Sequence, residues 1–264
     1  MVFCIPFAAV SFPVCPANAD MLSASCLVHF RASTRSRIGR RGCTGSICQS
    51  IVTSCFDWSS PRNKRVTDGL NFPSNDYIYH GLTRQGAEIV SVASVDGMTV
   101  PLERILEAID ERTKLVSISR FAFRSSSLQD LAAIAHDFAT GGCVKWLLGG
   151  PGAGCLYVRA DLDPKLRPTA VGWAAHASRF EFVGGPIEYA PDIRRFLNGT
   201  PNVPTMYSAR SSYEIVNEIG TTAIRAKSKR QIIGLADEAG FTIRSPRDLH
   251  VVHTTGSTGW HSNP

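Results

Sequence analysis

No run of about 18 uninterrupted apolar residues, the length a membrane-spanning helix needs, occurs anywhere in the chain. Its 44% hydrophobic content therefore predicts a buried core rather than a bilayer segment, and no membrane partner. Acidic residues are absent between Asp20 and Asp57. Residues 1–66 hold eight Lys/Arg and two acids, leaving twenty of each in residues 67–264, so the formal net charge of +6 belongs wholly to the first quarter of the chain. A basic footprint on a folded face is what nucleic-acid binding needs. An Arg-rich run at Arg31, Arg35, Arg37, Arg40 and Arg41 reads instead as a solvated tail, with no nucleic-acid partner. Cysteine is just as unevenly spread: Cys4, Cys15, Cys26, Cys43, Cys48 and Cys55 precede residue 66, and only Cys143 and Cys155 follow it. Two thiols make no disulfide framework, which favours a reducing, cytoplasmic setting. No His follows Cys43-x4-Cys48 at finger spacing, so no metal site is expected there. There is no internal repeat.

Residues 1–19 are apolar and end in Ala17-Asn18-Ala19, loosely like a signal-peptide cleavage site, but no positive charge precedes the apolar run. The Ser- and Arg-rich stretch 20–56 suits an organellar transit peptide better, and organellar delivery is the alternative to a cytoplasmic location. Helical and strand periodicities are missing here. Residues 1–66 are accordingly read as unrelated to the fold, disordered or a misread gene start, and deleting them is expected to leave stability nearly unchanged.

From residue 67 the pattern alternates strand and helix, the mark of an α/β fold with a mainly parallel sheet. Ala87–Val92 reads as a strand. Pro101 opens a helix through Leu102, Ile105, Leu106 and Ile109, a first-turn position where its missing N–H costs nothing. Lys114–Ser119 is a second, apolar strand. Ser127 is placed to cap a helix whose apolar face is Leu128, Leu131, Ala132, Ile134 and Ala135. A strand follows at Cys155–Arg159, and two amphipathic helices follow the Pro201–Pro204 turn, with Ile215, Val216 and Ile219, then Ile224, Ile232, Ile233 and Leu235 as apolar positions. Leu249 to Pro264 reads as a polar tail.

Chemistry concentrates in Gly141-Gly142-Cys143-Val144-Lys145-Trp146-Leu147-Leu148-Gly149-Gly150-Pro151-Gly152. A lysine beside a Gly-Pro turn is by default a surface residue. One set between an apolar run and two glycine clusters also suits a Schiff-base lysine, because Gly allows the backbone close approach to a bulky cofactor. This stretch resembles the lysine motif of class V aminotransferase-like proteins of the kynureninase type. Three further segments resemble that family in the same order: Leu70-Asn71-Phe72-Pro73-Ser74-Asn75-Asp76-Tyr77, Gly172-Trp173-Ala174-Ala175-His176 and Phe196-Leu197-Asn198-Gly199-Thr200-Pro201-Asn202.

The resemblance implies a pyridoxal 5'-phosphate (PLP)-dependent transferase-like (fold type I) large domain over residues 67–240, with 241–264 as the start of a C-terminal domain and a tail. It implies that Lys145 forms the Schiff base and Phe72 stacks on the pyridine ring. Ser74 and Asn75 would line the cofactor's polar edge, and Trp173 and Thr200 would reach phosphate across a homodimer interface. It also implies an amino-acid substrate, kynurenine-like. Read without the resemblance, Phe72 and Trp173 are core aromatics and Thr200 a turn residue before Pro201; His80 and His136 carry no motif.

The likeness breaks in four places. The helix ending near His136 runs straight into Asp137-Phe138, so the family's strand bearing an Asp for the ring nitrogen is not found, and PLP is an electron sink only while that nitrogen stays protonated. The family's N-terminal phosphate loop is unmatched. Its C-terminal domain stops after about Arg247, and Val144 stands where kynureninases have Tyr. The expectation is a PLP enzyme with impaired catalysis; the alternative is a non-catalytic remnant that folds or dimerises without turnover.

Overall fold

The computed structural model describes residues 2–7, 37–41, 45–123, 125–129, 137–145, 147–159, 161–243 and 246. The Ala17–Ala19 segment, Arg31, Arg35, Trp146, the helix face expected at Leu131–Ala135 and the tail from Leu249 lie outside the described residues. In chain order the main elements are β1 (Val2–Phe7), β2 (Arg37–Arg41), α1 (Gly45–Thr53), β3 (Lys64–Asp68), α2 (Pro73–Gly81), β4 (Glu88–Val92) and α3 (Leu102–Glu107). There follow β5 (Thr113–Ser117), β6 (Phe138–Gly142), β7 (Gly154–Val158), α4 (Val203–Ile219), α5 (Thr221–Lys229) and α6 (Leu235–Glu238). The chain divides into two compact units, one of residues 1–9, 58–135 and 218–264, the other of residues 10–57 and 136–217.

The first unit is built on four parallel strands in the order β1-β5-β3-β4. Parallel strands are covered on both faces and so tolerate few exposed positions; all five residues of β3 are buried. Two of those five are cationic, and each is accommodated by a specific neighbour. Lys64 reaches Asp110 at 2.9 Å, and the Arg65 guanidinium lies 3.3 Å from the centroid of the Tyr79 ring on α2, in the manner of a cation–π contact. Val66, Val92, Val100, Ile105, Val116 and Ile118 form the apolar cluster, with Leu70, Val90, Leu102, Ala108 and Ile109 packed at its edge. The helix expected after Pro101 is α3, with Pro101 as the extended residue preceding it.

Ser127 does not cap a helix. Ser125 donates to the Met98 carbonyl at 2.5 Å, Ser126 takes a positive φ of 55°, and the chain turns back so that Phe121 and Leu128 form an antiparallel bridge. The turn is closed by the Ala122 N–H on the Ser127 carbonyl at 2.9 Å and the Ser126 N–H on the Ala122 carbonyl at 2.9 Å. Local serine bonding of this kind competes with helix formation and here prevails.

In the second unit β6 and β2 flank β7, both antiparallel to it. α1 packs against β6 and β7, burying Cys48, Ile51 and Val52. Its buried Gln49 donates to Thr140 Oγ1 at 2.9 Å, and Phe56 meets Phe138 edge-on at 6.3 Å. α1 and β3 both lie wholly or partly in the segment the sequence set apart, and the boundary at residue 67 cuts through β3. Net charge and cysteine count mark a compositional change; Cys48, Ile51 and Val52, at helical spacing, mark a core face. The two helices after Pro201 are α4 and α5, separated by Gly220 at φ 84°. No helix among the described residues is long and apolar enough to cross a membrane.

Ile51, 1% exposed, tests the place of α1. Ile51→Ala is expected to lower the free energy of unfolding by about 2–5 kcal/mol, the range for emptying a buried aliphatic site. Urea unfolding measures it; a change within about 0.5 kcal/mol, the scale of a surface substitution, would place the helix outside the core.

Candidate functional site

The end of β3 and the start of α2 form a tight hydrogen-bonded turn. Gly69 donates to the Val92 carbonyl at 2.9 Å, and a Cβ there would lie 3.0 Å from the same oxygen, so only glycine passes the end of β4 at this distance. Asp68 closes the turn through its carboxyl group: Oδ1 accepts the Leu70 N–H at 3.2 Å and Oδ2 accepts the Ser119 N–H at 2.8 Å. Asn71 Oδ1 accepts from the Phe72 N–H at 2.8 Å, from Asn75 Nδ2 at 2.9 Å and from Ser119 Oγ at 2.8 Å. Asn71 in turn donates to Thr67 Oγ1 at 3.2 Å. Phe72 is the extended residue before α2, and Pro73 occupies the first turn, where its fixed φ suits a helix start.

Phe72 is 38% exposed and meets Phe123 edge-on, 4.8 Å between centroids at 86°. The ring thus has an aromatic neighbour set nearly perpendicular to it, while part of the residue stays exposed. Ser74 is half-buried and Asn75 buried. The structure brings Phe72 and Asn75 together through Asn71, a residue the sequence reading quoted without a role. Asp68, Ser119 and Phe123 were missed as well. Their signal was faint: a carboxylate four residues before Phe72, and a serine just past the end of β5.

Burial is the dominant influence on the Asp68 carboxyl and pushes its pKa up to about 7; the Ser119 and Leu70 N–H groups pull it back, and the charge of Asp76 raises it further. The carboxyl of an unfolded chain titrates near 3.8. The fold therefore holds the Asp68 proton more tightly than the unfolded chain does. The stability this contributes is complete below the unfolded value and is lost as pH rises through about 7.

In the second unit, Lys145 lies three residues beyond β6, in a loop that α4 holds down. The Cys143 N–H bonds the Ala153 carbonyl at 3.0 Å, Gly149 N–H the Cys143 carbonyl at 2.8 Å, and Leu148 N–H the Lys145 carbonyl at 2.8 Å. From α4, Ser212 Oγ donates to the Leu148 carbonyl at 2.8 Å, and the Tyr213 hydroxyl lies 3.1 Å from Cys143 Sγ. A Cβ on Gly149 would come within 2.8 Å of Cys143 Cβ and 3.1 Å of Ala209 Cα, and Gly150 and Gly152 have φ of 74° and 92°. The glycines that marked the motif are thus required by close packing against α4 and by left-handed backbone. The Lys145 side chain is exposed.

Two of the segments noted for their resemblance lie side by side in this unit. Gly172 N–H bonds the Leu197 carbonyl at 3.3 Å and Ala174 N–H the Asn198 carbonyl at 3.1 Å. A Cβ on Gly172 would fall 2.7 Å from the Asn198 oxygen, and one on Gly199 would lie 3.9 Å from Trp173 Nε1. Trp173, 38% exposed, tilts against Phe180 and Phe182 at 6.1 and 5.4 Å, and Thr200 is exposed. Trp173 and the Thr200 segment are therefore neighbours. Phe72, Ser74 and Asn75 belong to the first unit, and Lys145, Trp173 and Thr200 to the second.

Residues 122–239 match the family model of aminotransferase class-V. The chain is 28% identical over 211 residues to the uncharacterized aminotransferase YcbU of Bacillus subtilis, covering 68% of this chain and 55% of that protein. It is 29% identical over 193 residues to a kynureninase of Deinococcus radiodurans, covering 64% and 47%. The chain thus spans about half the length of these relatives. Among solved structures, the apo cysteine desulfurase of Thermococcus onnurineus superposes with a TM-score of 0.69 at 16% identity, covering 82% of this chain and 62% of that one. A C-DES mutant with glycine covalently linked to its PLP cofactor gives 0.59 at 16% identity, covering 74% and 59%. The chain is therefore class V aminotransferase-like and kynureninase-like in sequence, on the fold-type-I frame of PLP-dependent enzymes.

Proposed function

We propose that the chain holds PLP through Lys145 and acts on a small amino acid, kynurenine or a compound like it, as a homodimer. The observation that carries this reading is the Cys143–Ala153 loop, in which glycines packed on α4 hold the backbone of an exposed lysine three residues beyond β6. A cofactor lysine needs an accessible amine on a fixed backbone. The partly exposed Phe72 ring, with Phe123 set nearly perpendicular to it, is of the kind that stacks on a flat heteroaromatic ring. Each unit, taken by itself, thus offers residues of the kind the group needs. Lys145 would attach it and Phe72 stack on it, Ser74 and Asn75 would line its polar edge, and Trp173 and Thr200 would serve a phosphate of the second copy.

PLP, when bound, supplies an electron sink for bonds broken at the amino acid's α-carbon. For that chemistry the protein must keep the pyridine nitrogen protonated. On the side of β5 away from β3 lies β1, Val2-Phe3-Cys4-Ile5-Pro6-Phe7, and none of its residues is a carboxylate. The Asp68 carboxyl is already committed to the Leu70 and Ser119 N–H groups. Both points support weak turnover beside intact cofactor attachment. Lys145 would then be the group that moves protons at the substrate.

Titrating the chain with PLP is expected to raise a visible absorbance band of the lysine-bound cofactor, and Lys145→Ala to abolish it. A band that survives in Lys145→Ala would assign attachment to another lysine. An absent band at any PLP concentration would end the cofactor reading for this chain. The loaded protein is further expected to release little or no anthranilate from kynurenine; release at the rate of a full-length kynureninase, followed by anthranilate fluorescence, would show that another acid serves the ring nitrogen.

A further inference from the structure

We propose that Asp68 is the positioning residue of the Phe72 turn: its two carboxyl oxygens fix the chain between β3 and α2 against the end of β5, and so set the plane in which the Phe72 ring meets a flat heteroaromatic ligand. The inference rests on the reading that Phe72 stacks on the cofactor ring. Its ground is the way the turn is tied. The backbone from Gly69 to Phe72 has three anchors outside its own length: the Val92 carbonyl takes the Gly69 N–H at 2.9 Å, Phe123 N–H bonds the Leu70 carbonyl at 3.1 Å, and Ser119 bonds the turn twice. Of the two Ser119 bonds, the N–H goes to Asp68 and the hydroxyl to Asn71. Ser119 is thereby held at both donors, and it directly precedes Arg120 and the Phe121–Phe123 stretch whose last ring sets the edge of Phe72.

The carboxyl is chemically suited to this place. Each oxygen faces a backbone N–H, one on its own strand's exit and one on the exit of β5. An amide would turn an NH2 toward one of those donors and leave one buried N–H unpaired, the costly outcome for a buried polar group. A side chain that accepts only one bond would free either Leu70 or Ser119. Either loss would let the turn pivot about its remaining anchors and carry Phe72 with it. Phe72 has no capping bond of its own to resist that, since its side chain is apolar and its backbone N–H depends on Asn71.

The test is a double-mutant cycle on the full chain, read by PLP titration of the absorbance band for wild type, Asp68→Asn, Phe72→Leu and the pair. At pH 8.5, where the Asp68 carboxyl is ionised, each single substitution is expected to raise the apparent dissociation constant roughly tenfold or more, as loss of a bond to an ionised group or of an aromatic stack does. Asp68→Asn in the Phe72→Leu background should then add little, because the residue acts through Phe72. Fully additive losses would overturn the proposal and leave Asp68 a structural residue. Ile105→Ala supplies the control for destabilisation in the same unit; equal weakening by Ile105→Ala at matched melting temperature would also overturn it. Normal binding by Phe72→Leu would instead defeat the stacking reading. Should wild type show no band at all, amide exchange decides the clamp: faster exchange at Leu70 and Ser119 in Asp68→Asn supports it, and unchanged exchange ends it.

Discussion

The register of β3 between β4 and β5 is the constraint on which the rest of the first unit depends. Parallel pairing sets Asp68 beside Val92 on one side and places Ser117 beside Thr67 on the other. All three strands therefore end at one level, and the chain leaving each end meets the others there. In parallel α/β sheets the carboxyl ends of the strands are where loops converge and ligands bind. A slip of one residue in β3 would exchange the faces of Arg65 and Val66. It would put a guanidinium into the cluster that now holds Val66, Val116 and Ile118, and would take Arg65 off the Tyr79 ring. The apolar cluster and the polar turn thus enforce the same register from opposite directions.

A strand as cationic as Lys-Arg-Val-Thr-Asp looks unsuited to a central position. Its burial is made tolerable by partners supplied from beyond the strand. Asp110 receives Lys64 while lying close enough to solvent to remain ionised, and Lys64 in turn holds the Asp110 carboxyl below the usual range by a direct hydrogen bond. The Tyr79 ring covers Arg65, and its own hydroxyl lies 2.6 Å from Ser117 Oγ on β5. Tyr79 therefore links α2 to two strands, one by its π-face and one by its hydroxyl. The orientation of α2, which begins with Phe72 and Pro73, follows from that link as much as from the turn at its start.

How much of this was legible in the sequence depended on the kind of signal. Periodicity found β4, β5, β7 and the helical stretch after Pro201, but not its inward face: of the apolar positions expected there, Val216 is buried while Ile215, Ile219 and Leu235 are exposed. The glycine-rich lysine motif was legible because positive φ and close packing admit few residues other than glycine. Composition misled at residues 45–66: a helix with Cys48, Ile51 and Val52 inward is brief, and the serines and arginines around it dominate any window average. Ser127 was misread because a hydroxyl suits a helix cap and a reverse turn equally, and Ser125 and Ser126 decided for the turn. Asp68 and Asn71 were least legible. Their roles rest on pairing with Ser119, some fifty residues away in sequence, and no local pattern announces a bond of that separation.

The two polar turns differ in a way that bears on what each can do. The lysine loop is held by main-chain bonds within it and by α4, which adds the Ser212 hydroxyl on the Leu148 carbonyl, the Tyr213 hydroxyl beside Cys143 Sγ and close contact with Gly149. The Phe72 turn is held by side chains, one of them a carboxyl whose pKa burial has carried up to about 7. Because that pKa is raised, the fold favours the protonated carboxyl, and the stability this group contributes is present in acid and lost as pH rises through about 7. The energetic burden of that turn falls on one buried carboxyl, which water would solvate better than two N–H groups do; the register of β3 leaves it no other place to be.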